Sequence, residues 1–415
     1  MSSLFKIAMR NLFRYKRRTL LTMALIVSGM VFVLVFEAVS GSFKNMMISQ
    51  ITDSFLGHIQ IHRKGYLASI DNLPLHLNIQ SKQVQGMEKL LAESEGVESY
   101  SERIKFGAGL SNYEQTTNIR INGVEPAREF ETCPLLLSRL VQGDSAPSSL
   151  ARGKLLIPVL LARGLGLDVG DTVVVITTNR DGSVNGGNFV VGGILESATG
   201  PGGRDGYMHI EDAKDLLRVD DSEVSEFAIR LKDFNRLDAI HATLESKLAG
   251  QLNKQGRPVF EVHTWEKLSP FSNVADMIDV MTFFVKLMLV SVVLISIMNV
   301  MIMAVYERIR EIGTIAAIGT LPRKIRLLYV IEGFLLGSLG ALSGVVVGAA
   351  IVFTLNLWKI PFAFGRQEDL LLAPTLDLWN LVTVSLLVIG MAIVASLQPA
   401  AKAARMEPID ALRHV

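Results

Sequence analysis

Four stretches of this chain are apolar for long enough, and carry few enough charges, to predict helices that cross a membrane. A bilayer core needs about 20 apolar residues in a helix. Thr19–Phe36 and Leu378–Leu397 hold no charged residue, Val280–Val305 holds only Lys286, and Leu327–Leu357 holds only Glu332. The spans are placed at 19–39, 280–305, 327–357 and 378–397. The first is read as a retained anchor, because its apolar run outlasts a signal-peptide core and 18 residues precede it.

Between the first two spans the pattern changes. Residues 40–279 contain no apolar run of spanning length and mix the strand and helix periods, which predicts a water-soluble α+β domain. Strands are expected at His58–His62, Asn118–Gly123, Asp171–Thr178 and Asn188–Leu195, with a short helix at Glu211–Leu217. Glu226–Leu231, Asn235–Leu252 and Pro258–Val262 read as a strand–helix–strand unit. Two subdomains are expected, one from the two ends (about 40–115 and 222–279) and one inserted between them (about 116–221). The fold class is therefore membrane α-helical with a large extracytoplasmic α+β domain.

Lysine and arginine set the orientation. Lys6, Arg10, Arg14, Lys16, Arg17 and Arg18 precede the first span, Arg308, Arg310, Arg323, Lys324 and Arg326 lie between the second and third, and Lys402, Arg405 and Arg413 follow the fourth. The connection Trp358–Asp377 has only Lys359 and Arg366. The N-terminus, residues 306–326 and the tail 398–415 are thus expected in the cytoplasm, with 40–279 and the short loop 358–377 outside.

Composition agrees with a membrane protein: 49% of the 415 residues are hydrophobic and mean hydropathy is +0.36. A net charge of +1 gives no reason to expect nucleic acid. The single cysteine, Cys133, excludes an intrachain disulfide and reads as a small core residue.

Candidate chemistry is sparse. His58 and His62 share a strand face with Gln60, yet no Cys, Asp or Glu joins them at metal-ligand spacing, so no metal site is expected. Gly200–Gly206 lacks the Lys-Ser/Thr of a P-loop. With no nucleotide site visible in this chain, any ATP that drives it must be bound by another.

The segments facing the cytoplasm carry more. Lys6, Arg10, Arg14 and Arg17 recur at spacings of four, four and three. On a short helix over 1–18 they form a basic stripe suited to lipid headgroups, or they serve only as topology signals. The second span continues without a breaker into Tyr306–Gly319, where Gly319 is placed to end the helix and Pro322 to begin the next. Glu307 and Glu311 fall on one face of this amphipathic extension, and Arg308, Ile312, Ile315 and Gly319 on the adjacent one. It fits the groove of a soluble partner, or it is an ordinary charged helix end.

Gly333, Gly337, Gly340, Gly344 and Gly348 line the third span. Such small residues let helices approach closely in lipid, either within one subunit or between two. Glu332, about five residues into that span, either reaches for the interface or takes part in coupling.

The string Glu307-Arg308-x-Arg310-Glu311-Ile312-Gly313, followed by Ala317-x-Gly319, resembles the coupling segment of the MacB/FtsX/Lol superfamily of ABC transporter permeases. Pro399-Ala400-x-x-Ala403-Ala404-x-x-x-Pro408-x-x-Ala411-Leu412-Arg413 is similar to its terminal signature, and Gly164–Thr178 and Thr264-Trp265 to its outer domain. The resemblance covers the whole chain. It implies a type VII architecture in an inner (cell) membrane, of a Gram-negative bacterium. Two permease subunits, identical or paralogous, each engage a cytoplasmic ABC ATPase, which binds the ATP and Mg. This chain would bind no cofactor and be no enzyme itself. The work is mechanotransmission: hydrolysis moves outer domains that act on a periplasmic substrate. Without a fused ATPase the chain looks most like the lipoprotein-releasing LolC/LolE branch, although Trp358–Asp377 departs from that pattern. Export of a periplasmic peptide or small molecule (MacB-like) and control of a cell-wall hydrolase (FtsX-like) are the alternatives.

Overall fold

The computed structural model describes all residues except 1, 144–147, 198–200, 220–222, 359, 365–366 and 407–415. Pro408, Ala411, Leu412 and Arg413 of the terminal motif, with Gly200, Lys359 and Arg366, lie outside the described residues. The chain divides into two compact units: Met1–Asn45 with Ala275–Phe362 and Leu371–Val415, and Met46–Val274 with Ala363–Leu370.

In the first unit a helix α1 (Ser2–Arg14) precedes α2 (Lys16–Ile51). Then come α10 (Ser272–Glu307), α11 (Ile309–Ala317), α12 (Pro322–Trp358) and α13 (Leu378–Ala404). Helices α2, α10, α12 and α13 are long and apolar enough to cross a membrane. Each outruns its apolar stretch at one or both ends. No Gly-Pro pair or turn cluster stops α2 at residue 39, so it continues through Glu37 and Lys44 to Ile51 and a π turn, Thr52–Leu56. The loop expected at 358–377 contains a two-stranded ladder, β11 (Ile360–Phe364) with β12 (Gln367–Leu372).

The glycines of α12 pack inside this chain. A methyl group built on Gly333 would lie 2.5 Å from Ser396 Cβ, and one on Gly337 2.5 Å from Ala392 Cβ, both on α13. On Gly340, Gly344 and Gly348 it would meet Ile26, Met30 and Leu34 of α2 at 2.6–2.9 Å. One helix thus holds two neighbours through successive parts of a single small-residue stripe, which gives the dispersion contacts that water-driven burial cannot supply in lipid. Polar ties reinforce the outer part of the α2–α10 contact. Lys286 donates to Glu37 at 2.7 Å, Lys44 pairs with Asp279, and Ser40 lies 3.5 Å from Thr282.

The second unit is built on one ten-stranded sheet. Its strands are β1 (Ile59–Arg63), β2 (Val97–Ser111), β3 (Thr116–Val124), β4 (Leu140–Gly143), β5 (Lys154–Pro158), β6 (Thr172–Thr178), β7 (Val184–Leu195), β8 (Asp205–His209), β9 (Glu226–Leu231) and β10 (Phe260–Thr264). They lie in the order β10-β1-β9-β2-β3-β8-β5-β7-β4, with β6 against β2 and β7. Because β6 bridges β2 and β7, the six strands β2, β3, β8, β5, β7 and β6 form a closed ring of pairings. Strands β9, β1 and β10 extend from β2 as an open wing. The inserted segment supplies most of the ring, and the two end segments supply the wing. The long β2 belongs to both. Helices α3 (Ser81–Ala92), α4 (Pro126–Thr132), α5 (Leu135–Ser138), α6 (Val159–Leu165), α7 (Ile210–Leu217), α8 (Leu237–Ala249) and α9 (Trp265–Leu268) complete the unit. Helix α8 turns Leu237, Ile240, Leu244 and Leu248 inward, at the spacing read from the sequence.

Candidate coupling site

The continuous helix expected from the second span to Gly319 breaks at Arg308, whose φ of −110° and ψ of 17° are not helical. No Gly or Pro lies near the break, so its cause is tertiary. Arg308 is turned inward and is only 3% exposed. Its Nη1 lies 3.6 Å from Glu332 Oε2 on α12, where Glu332 is 0% exposed. Its guanidinium sits 4.3 Å from the ring centroid of Tyr15. Tyr15 itself occupies the break between α1 and α2. One cation therefore joins two helix breaks and a third helix.

Several expectations change in consequence. Glu307 and Glu311 end up on separate helices, both of them exposed. Arg308 and Ile312 do not present themselves to a partner: both are buried, with Gly313, against α11's own neighbours. Glu332 does not reach for the interface, because Arg308 meets it inside. Arg17 is not part of the basic helix either. Lys6, Arg10 and Arg14 lie exposed on α1, whereas Arg17 lies exposed on α2 beyond the break. Arg14 also turns toward α11 and pairs with Glu311 at 3.3 Å. Both partners are well exposed, so this pair adds little stability and mainly fixes direction.

What remains outward is apolar. On and just after α11, Ile315, Ala317, Ile318 and Leu321 are exposed, Ile318 at 79% and Leu321 at 60%. Glu307, Arg310 and Thr314 border them. Gly319, at φ +90°, closes the turn with its N–H on the Ala316 carbonyl, and Pro322 opens α12. The φ demands glycine there; any other residue would be strained. Across the same unit, Lys402 of α13 contacts the hydroxyl of Tyr306. A short helix with an anchored inner side and an apolar outer side can dock on a groove.

The outer unit holds a second cluster that the sequence did not reveal. Arg103 of β2 is bidentate to Glu129 of α4 at 2.9 and 2.7 Å. It also donates to Glu226 of β9 at 3.2 Å and to the Phe55 carbonyl at 2.6 Å. Glu226 is further held by His62 at 3.2 Å and Lys105 at 2.8 Å. Burial opposes ionisation of Glu226, yet Lys105, His62 and Arg103 outweigh it and hold the carboxyl well below the usual range. His62 is thus a core histidine held through its Nε2 by Glu226, and both faces of β1 are buried instead of one. His58 likewise contacts Asp53 at 3.3 Å and accepts from the Leu231 N–H at 3.0 Å. Cys133 is buried beside Arg103, and burial pushes its thiol up to about 12. These groups are too enclosed for catalysis; they grip the backbone just where the chain leaves α2.

The MacB-like periplasmic core domain model matches residues 19–247, and the FtsX-like permease C-terminal model matches residues 282–408. The lipoprotein-releasing system transmembrane protein LolC of Neisseria meningitidis serogroup B is 24% identical over 327 residues, covering 74% of this chain and 75% of that protein. LolC of Xylella fastidiosa (strain Temecula1) is 25% identical over 71% of this chain and 72% of its own. The ABC transporter permease YtrF of Bacillus subtilis is 32% identical over 31% of each chain. Among solved structures, the periplasmic region of MacB from Actinobacillus actinomycetemcomitans is similar at a TM-score of 0.35 and 12% identity, over 51% of this chain and 92% of that one.

Proposed function

The chain belongs to the MacB/FtsX family of ABC transporter permeases, and we propose that it is the spanning subunit of a lipoprotein-releasing transporter that works by mechanotransmission. It is a multi-pass protein of a Gram-negative inner membrane with a periplasmic domain. Helix α10 is long and apolar enough to cross once from that domain, which supports a cytoplasmic α11. There the exposed Ile315, Ile318 and Leu321 form the surface that takes a partner ATPase, and this outward apolar edge on an inwardly tied helix is the observation that carries the proposal. ATP and Mg are bound by that ATPase, and a second permease subunit completes the complex. Similarity to LolC proteins over about three quarters of both chains supports lipidated protein as the substrate. Exposed Lys6 and Arg10 on α1 suit lipid phosphates at the inner face.

Affinity purification with the ATPase tests the docking surface. Ile318→Asp with Leu321→Asp is expected to remove the ATPase from the complex while membrane insertion is retained. Undiminished co-purification sinks the docking reading. Stimulation of ATP hydrolysis by lipoprotein tests the substrate: stimulation by a soluble peptide alone points to export, and activation of a hydrolase without substrate release points to regulation.

A further inference from the structure

We infer that Arg308 is a positioning residue that transmits movement of α11 to the spans, and that it never touches the ATPase. The inference rests on the reading of α11 as the docking helix. Its grounds are geometric. A buried ion pair is an expensive way to join two helices, since desolvating both charges offsets most of their attraction. An apolar pair of similar size would stabilise the unit as well or better. The pair therefore makes sense as a device that fixes register, and here it sits at a joint. Arg308 is the one residue between α10 and α11, and Tyr15 is the one residue between α1 and α2. The guanidinium stacks on the second joint while it faces the Glu332 carboxylate on α12. Its Nε and Nη2 have no hydrogen-bond partner among the described residues, so the contact with Glu332 at 3.6 Å is looser than a fork-to-fork salt bridge. Such a tie can tighten or shift when α11 is displaced without first breaking a strong bond. Glu311, one turn along α11, faces Arg14 of α1 in an exposed pair that helps set direction and bears little load. Through Arg308, displacement of α11 pulls on α1, α2 and α12 together.

The experiment uses the full chain in complex with its ATPase, with nitroxide labels introduced by Thr314→Cys on α11 and Phe353→Cys on the outer part of α12, both exposed. Cys133 is buried and does not compete for label. ATP should change the distance between labels in the otherwise unaltered chain. In Arg308→Met and in Glu332→Gln the complex should still co-purify, and the ATP-dependent change should be lost. Arg308→Lys keeps the charge and should retain part of the change; with Glu332→Gln it also carries the test if Arg308→Met fails to fold. Persistence of the full change in both single variants overturns the inference. Loss of the ATPase from Arg308→Met but not from Glu332→Gln also overturns it, because Arg308 would then be a contact. The docking reading fails separately, through Ile318→Asp with Leu321→Asp.

Discussion

Gly337 of α12 and Ala392 of α13 face each other so closely that a Cβ on the glycine would lie 2.5 Å from the alanine's. Real carbon atoms do not approach so far, so the helices must separate if the glycine acquires a side chain. Gly337→Val is expected to destabilise the first unit by about 1–3 kcal/mol, the usual cost of overpacking. Thermal unfolding of the purified protein in detergent measures it. Gly390, also on α13 but with open space around it, serves as the control: Gly390→Ala should leave the transition in place.

Removing Arg103 should damage the periplasmic unit more than any surface change. Arg103→Met leaves Glu129 buried at 0% exposure without its bidentate partner. Breaking one side of a buried ion pair costs about 3–5 kcal/mol. Glu129→Gln in the same chain should recover part of the loss. Two full, additive losses in the melting curve would show that the pair is not coupled.

The periplasmic unit should respond to pH from two sides. Glu226 is held below the ordinary carboxylate range, so its stabilisation is present at neutral pH and is lost as pH falls below the unfolded value of about 4.3. Glu102 behaves oppositely. Burial, then its neighbour Glu88, push it up to about 7 despite Arg128 at 3.0 Å. Its protonated form is favoured in the fold, so stability declines as pH rises from about 4.3 toward 7. Denaturation across pH 3–8 should therefore show a maximum at about pH 4.3, where the two limbs meet. Glu102→Gln should flatten the upper limb and leave the acid limb unchanged. An unchanged upper limb would contradict this assignment.

Lys286 and Glu37 neutralise each other at the outer part of the spans. Lys286→Met leaves the Glu37 carboxylate unmatched, at a cost below the roughly 3 kcal/mol that insertion scales give for a charge at the bilayer centre. Lys286→Met with Glu37→Gln should restore most of the stability. A double variant no better than the single would show that the pair contributes no coupling.

The spans were legible because apolar runs of such length, almost free of charge, are rare outside a bilayer. The wing of the outer sheet was legible in part, since Glu226–Leu231 and the Leu237, Ile240, Leu244, Leu248 spacing are local signals. The break at Arg308 was not. Tyr306-Glu307-Arg308-Ile309 contains no residue that disfavours a helix, and the force that bends it comes from Glu332 and Tyr15, which are distant in sequence. The charge cluster escaped for the same reason: Arg103 and Glu226 lie 123 residues apart. The outward face of α11 was misassigned because Arg308 and Ile312, which do share a side, are drawn inward by contacts distant in sequence. Ile312 turned inward, and Ile318 stayed out.

The first and last strands of the periplasmic sheet are hydrogen-bonded neighbours. Residue Ile59 is paired with Thr264, and the Trp265 N–H bonds the His58 carbonyl. One end of this antiparallel ladder continues to α2 and the same end leads on to α10. The chain therefore enters and leaves the sheet through one shared rung, so the two crossings of this boundary are held side by side by backbone hydrogen bonds and not by side chains alone.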